Sequence, residues 1–356
     1  MKQIKFWAFA LVVIAFAASC KKNDSPAPIV PKVTTGLYIL SEGTFNQNNT
    51  TLTYYNFATS AASTDFFAST NGSQLGGTGN DMIIYGGKMY IVMNVSSYVE
   101  VANAFTAKEI KKIDFKTSAA VARQPRFAAA YKNKVLVSSY DGTVAVIDTA
   151  SLSIDKFINV GSNPEQVVVS GDKLYVANSG GLNPVYDSTV SVIDLATFTE
   201  TKKITVGINP ASIAADDAGN IYVGCTGDYM SNSPKLVKFT ASTGAITKSA
   251  DTAVGKIRYY NGLLYATGGY LGSSFVRTLS TTDFTQTRAN FVTDGTVVKL
   301  PYGLNIDGDT GDVYVTDAIN YTASGVVYCF DKTGKKKFSF SVSPGINPNT
   351  VAVIKQ

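Results

Sequence analysis

A short apolar strand with an aromatic residue or leucine at its centre recurs seven times, and this recurrence constrains the fold more than any other feature. The copies are Gly36-LYIL, Lys88-MYIV, Lys134-VLVS, Lys173-LYVA, Asn220-IYVG, Leu263-LYAT and Asp312-VYVT. From Tyr38 in the first to Tyr314 in the last there are six steps averaging 46 residues. A second alternating run follows each copy, as in Val144-AVIDT, Val190-SVIDL and Val326-VYCFD. A third, more polar run comes next, as in Thr199-ETKKITV and Lys335-KKFSFSV. Before most copies an apolar strand starts at a proline, as after Asn163-Pro164, Asn209-Pro210 and Leu300-Pro301. Four short strands per repeat, punctuated by Gly, Asn-Pro and Asp-Gly, spell an all-β, seven-bladed β-propeller.

The two ends of the repeat array predict how the ring closes. The first copy, at Gly36, begins on the second strand of a blade and lacks the innermost one. The chain stops at Asn347-Pro348-Asn349-TVAVI, a copy of an innermost strand. The C-terminal strand therefore completes the first blade and removes two open sheet edges at once. The propeller is expected over residues 36–356.

Residues 1–20 carry Lys2 and Lys5, an apolar run from Phe6 to Phe16, and then Ala17-Ala18-Ser19-Cys20. A basic start, a short apolar run and small residues make a secretory signal. The small-small-Cys ending resembles a bacterial lipobox, which makes Cys20 the lipidated first residue of the mature protein. Ala17 stands where Leu is commonest, so ordinary cleavage nearby is the alternative. Residues 21–35, with Pro26, Pro28 and Pro31, read as an extended tether. Cys225 and Cys329 read as buried, unpaired hydrophobes.

Composition removes several classes of chemistry. The chain has no histidine, so a Ser-His-Asp triad, an H-E-x-x-H zinc site and His-ligated haem are excluded. Three cysteines cannot build a four-cysteine metal site. The formal net charge of +5 argues against nucleic acid as the partner.

Propeller connectivity sorts the loops by face. Links from second to third strands open on one face, together with links from each outer strand to the next blade. Every second-to-third link carries an aromatic: Phe45, Tyr98, Tyr140, Tyr186, Tyr229, Tyr270 and Tyr321. Five of these links exceed what a tight hairpin needs, whereas the opposite-face turns are short. Long, aromatic, Asn- and Gly-rich loops on one face of a rigid ring predict a binding surface. Glu42, Asp81, Asp141, Asp187, Asp228 and Asp317 fall on or near that face, but no two stand out as a catalytic pair, and Asp residues in loops usually make turns. Asp307-Gly308-Asp309-Thr310-Gly311-Asp312 looks superficially like a calcium loop; without its terminal Glu, and in a hairpin slot, it reads as a turn.

Asn163-Pro164, Lys173-LYVANSGG and Thr189-VSVIDLATF resemble the YncE-like family of secreted seven-bladed propellers. More closely, the chain resembles Gram-negative outer-surface propeller lipoproteins that capture cobalamin for a TonB-dependent outer-membrane transporter. The matching segments include Ser41-EGTFNQNNTTLTYY, Gly79-Asn80-Asp81, Asn178-SGGLNPVYDSTVSVIDL, Gly227-DYMSNSPKL, Thr293-Asp294-Gly295-Thr296, Pro301-YGL and Thr316-DAINYTASGVVYCFDKTGK. The resemblance implies non-catalytic capture at the outer membrane, without a cofactor. It makes Asn46, Asn49, Asn183, Asn232 and Asn320 the amide candidates for a ligand's rim, beside the aromatics and the acids Asp81 and Asp228. With no imidazole to offer cobalt, such a protein would hold the vitamin by its periphery. The alternatives are a propeller scaffold or adhesion module for an envelope partner, or a carboxylate-based hydrolase or lyase.

Overall fold

In the computed structural model, which describes residues 33–269 and 274–355, the chain forms seven four-stranded antiparallel sheets. The expected signal with Cys20 and tether residues 21–32 lie outside the described residues, as does Tyr270, while Thr34 and Thr35, expected in the tether, begin the first strand. Thr34–Gln356 make one compact unit. The innermost strands are Pro348–Lys355, Gly79–Tyr85, Pro125–Tyr131, Pro164–Ser170, Pro210–Ala215, Ile257–Tyr260 and Pro301–Ile306. Each packs against the next and the last against the first, which closes the ring.

The repeated sequence strand is the second strand of each blade: Thr34–Ser41, Lys88–Met93, Lys134–Ser139, Lys173–Asn178, Asn220–Cys225, Leu263–Gly268 and Val313–Asp317. These strands are buried on both faces because neighbouring sheets cover them, so they read as apolar runs rather than alternation. Their central residues, Tyr38, Tyr90, Leu136, Tyr175, Tyr222, Tyr265 and Tyr314, are all buried. Outer strands such as Thr199–Thr205 are mostly exposed, which matches their Lys and Thr content. Seven apolar clusters result, one in each gap between adjacent blades.

The closure is the one the repeat order implies. Pro348–Lys355 pairs with Thr34–Ser41, aligning Leu37 with Val353 and Leu40 with Thr350. Asn349 Nδ2 then reaches across to the second blade, donating to the carbonyls of Gly79 at 2.8 Å and Asn80 at 3.0 Å. One element departs from the four-strand plan: a short helix, Phe66–Asn71, links the first blade to the second and buries Phe67. Cys225 and Cys329 are unpaired and buried. Burial pushes both thiols up to about 12, so neither is a nucleophile at neutral pH.

Candidate functional site

The longest second-to-third links span residues 42–50, 179–188 and 226–234, in the first, fourth and fifth blades. Glycines at φ +64° (Gly180) and +73° (Gly227) fix the last two, because a Cβ at either would meet the backbone of the loop's returning arm. Exposed large hydrophobics gather on this face. Phe45, Leu182, Val185, Tyr229, Met230 and Tyr321 stand on second-to-third links, and Val121 and Val297 on links between blades. Tyr229 is 75% exposed and Met230 92% exposed. Tyr186 and Tyr229 meet across two blades, edge to face, with ring centroids 6.4 Å apart.

A polar network crowns the inner strands on the same face. Arg126 forks onto Glu165, with Nη2 2.8 Å and Nε 3.1 Å from Oε2, and also donates to Asn80 Oδ1. The Tyr140 hydroxyl donates to the same Glu165, and the Arg126 guanidinium lies 4.5 Å from the centre of the Tyr140 ring. Burial works against the Arg126 charge, but Glu165, Tyr140 and Glu42 outweigh it and hold the group protonated. On the first and seventh blades, Tyr302 donates to Glu42 and its ring meets Tyr321 at 5.9 Å. Burial, and then Glu42, push the Tyr302 hydroxyl well above a free phenol, so it remains a donor.

The structure groups some of the sequence-predicted residues and commits others to their own loops. Tyr186, Tyr229, Phe45 and Tyr321 present aromatic surface to solvent or to one another. Tyr140 and Asn183 line one recess of about 630 Å³ between the third and fourth blades, with Asp141, Asp187 and Lys203. Asn46 is exposed in a left-handed turn at φ 61°. Asn49 Oδ1 caps the Thr44 amide of its own loop at 2.7 Å. Asp228 and Asn232 satisfy one another: Asp228 accepts from the Met230 and Asn232 amides and from Asn232 Nδ2. Asn320 likewise closes a turn onto Thr322 and Ala323. Tyr98 is half-buried, its hydroxyl donating to the Leu75 carbonyl. Asp81 sits lower, on an inner strand, where it accepts the Ala128 amide at 2.9 Å.

The remaining acids are structural. Asp317 is fully buried and accepts the amides of Lys299, Leu300 and Ile319. Asp141 pairs with Arg123, and Asp187 accepts the Ser162 and Thr189 amides. Asp307–Asp312 is a hairpin turn whose Asp307 and Asp309 carboxylates take the Lys355 ammonium. Among the described residues, no group of three or more Cys, Asp or Glu side chains is placed to hold a metal ion.

Loop-centred sequence reasoning missed Arg126, Glu165 and Tyr302. All three follow the proline that starts an inner strand: Pro125, Pro164 and Pro301. That shared Pro-X position was the available signal, because a ring converges its inner-strand starts on one mouth. Another recess, of about 840 Å³, lies on the opposite face between the fourth and fifth blades. Hairpin turns wall it, and its one aromatic, Tyr175, is buried with its hydroxyl committed to the Ala241 carbonyl at 2.9 Å.

Among solved structures, a quinonprotein alcohol dehydrogenase-like protein from Bacteroides thetaiotaomicron is similar over 90% of this chain and 78% of its own. Its TM-score is 0.67 at 16% identity. Kuenenia stuttgartiensis hydrazine synthase is similar over 71% of this chain and 76% of its own, with a TM-score of 0.60 and 16% identity. The computationally designed Ika8 protein is similar over 91% and 94%, with a TM-score of 0.56 and 13% identity. At such identities the likeness is one of fold alone. No curated protein matches the chain. The match that spans the ring, over residues 35–347, places the chain in the family described as Domain of unknown function (DUF5074), to which it belongs.

Proposed function

We propose that this protein is a non-catalytic capture module that binds a wide, partly apolar, amide-edged small molecule on its loop-bearing face. A corrinoid such as cobalamin is the ligand that suits this face and the resemblance together. In this reading, lipid on Cys20 holds the protein at the surface of a Gram-negative outer membrane, where it passes the ligand to a TonB-dependent transporter. The observation that carries the reading is the set of exposed aromatic and apolar side chains, Phe45, Leu182, Val185, Tyr229, Met230 and Tyr321, standing on the links of one face. Flat apolar surface beside Asn-rich loops offers stacking and hydrogen bonds to a macrocycle's rim. With no histidine in the chain, recognition runs through the periphery and not through cobalt.

The same exposed Val185 and Met230 would also suit a protein partner, which makes an envelope scaffold the second reading. Calorimetric titration of the propeller, residues 34–356, with cyanocobalamin separates the two. Saturable heat at one vitamin per ring is expected. Neither heat nor thermal shift at tens of micromolar vitamin would overturn the corrinoid assignment and leave the scaffold.

A further inference from the structure

Beneath the mouth, the channel-lining residues carry charges that the loop face does not use. Lys256 and Arg258 are two residues apart at the start of the sixth blade's inner strand, so they project to one side, while Ile257 between them is fully buried in the blade. Arg258 lines a cavity of about 140 Å³ together with Asp81, Gln166, Asn305 and Thr350, all from inner strands of other blades. Lys256 Nζ lies 4.8 Å from the centre of the Phe127 ring, another wall of that cavity.

The charges in this space do not balance. Arg126, whose field also reaches Lys256, is committed to Glu165. Asp81 is the one carboxylate whose field reaches both Lys256 and Arg258, and among the described residues neither cation forms an ion pair. Their side-chain donors are also largely unspent. Arg258 Nη1 donates to the Ile257 carbonyl at 2.9 Å, and no described acceptor takes Lys256 Nζ. A lysine carries three donors and an arginine five, so most remain to be satisfied. Burial pushes both cations toward losing their charge, Arg258 and Arg126 add to this at Lys256, and Asp81, with Glu165 at Lys256, only partly opposes it. A recess lined by Arg258, one carboxylate, two amides and a hydroxyl, with Lys256 against its Phe127 wall, has room and spare donors for one negative group with several acceptor oxygens.

We propose that this channel cavity is a binding site for a small oxyanion of the phosphate class, held by Lys256 and Arg258 with Gln166, Asn305 and Thr350 completing its shell. The site is independent of the loop face and stands whether or not a corrinoid binds there. Its size admits a tetrahedral oxyanion, and guanidinium and ammonium groups are the donors such an ion selects.

The test is equilibrium dialysis of the purified protein against radiolabelled inorganic phosphate in a chloride buffer, with a parallel thermal-shift series at matched ionic strength. One phosphate per chain is expected, with a saturable rise in melting temperature that neither chloride nor acetate reproduces. Lys256→Met and Arg258→Met should each weaken phosphate binding at least tenfold while melting in chloride no lower than the parent, because each removes an uncompensated charge. Absence of bound phosphate on the parent protein overturns the proposal without reference to any variant. So does a shift equal to that of chloride, a preference for acetate, or undiminished binding in both folded variants.

Discussion

At the scale of single residues, the least comfortable side chain is Glu100. It is fully buried on the second blade, and its nearest cation, Lys112 Nζ, stands 3.8 Å away, too far for a hydrogen bond. Burial, and then the Glu109 charge, push its pKa up to about 8, against the opposing pull of Lys112. The folded state therefore keeps a proton that the unfolded chain releases near the ordinary carboxylate value. Stability falls as pH rises through that window, from about 4.5 to about 8. Glu100→Gln should raise stability by a few kcal/mol at pH 9, change it little at pH 4, and flatten the urea midpoint between them. An unchanged pH slope in the variant would remove Glu100 as its cause. The exposed aromatics belong to the same scale. Tyr186→Ala and Tyr229→Ala should each cost about 1–3 kcal/mol of vitamin binding if they anchor the ligand, and leave the melting temperature unchanged. Full affinity in both would move the ligand off this pair of loops.

At the scale of the element, six of the seven inner strands open with a register shift that aims residues at the channel mouth, and Ile257–Tyr260 pairs without one. Asn163, Asn209 and Asn347 adopt φ of 41°, 59° and 54° immediately before Pro164, Pro210 and Pro348, and register shifts follow. Asparagine tolerates the left-handed region, and its amide serves the turn. Asn163 Nδ2 donates to the Tyr140 carbonyl at 3.0 Å and its Oδ1 accepts the Leu182 amide at 3.2 Å. The residue thus ties the fourth blade's long loop to the third blade's link. Asn163→Ala should cost about 2 kcal/mol, from two lost hydrogen bonds and a left-handed alanine. Asn163→Gly should cost less, since glycine keeps the backbone conformation. Urea unfolding measures both, and a glycine variant weaker than the alanine one would contradict the backbone part of the argument.

At the scale of the whole molecule, stability depends on a strand contributed by the far end of the chain. Pro348–Lys355 covers the edge of Thr34–Ser41, packs against both neighbouring inner strands, and buries Val351 and Ile354 in two different inter-blade clusters. Removing residues 350–356 strips the ladder partner from the first blade and opens two apolar gaps, while Asn349 alone keeps its grip on the second blade. The truncated protein should aggregate, or melt far below the parent, as an exposed, apolar sheet edge invites association. Differential scanning calorimetry and gel filtration read this directly, and a parent-like melting temperature would contradict closure by that strand.

The local pattern alone determined the blade count, the strand order within each blade, the permuted closure and the sorting of loops to two faces. It could do so because a repeated buried strand, Tyr90 or Tyr175 at its centre, is a local signature, and because alternation and turn chemistry report immediate neighbours. Tyr186 and Tyr229 were legible as members of one loop set; that their rings meet was not. Arg126 with Glu165 and Tyr302 with Glu42 are pairings between separate blades, and Lys256 and Arg258 feel the charge of Asp81 from another blade without pairing to it, all set by how seven inner strands converge on one axis. Only the tertiary structure decides these, since side chains distant in sequence come within reach of one another when the ring closes, and burial then gives their charges weight.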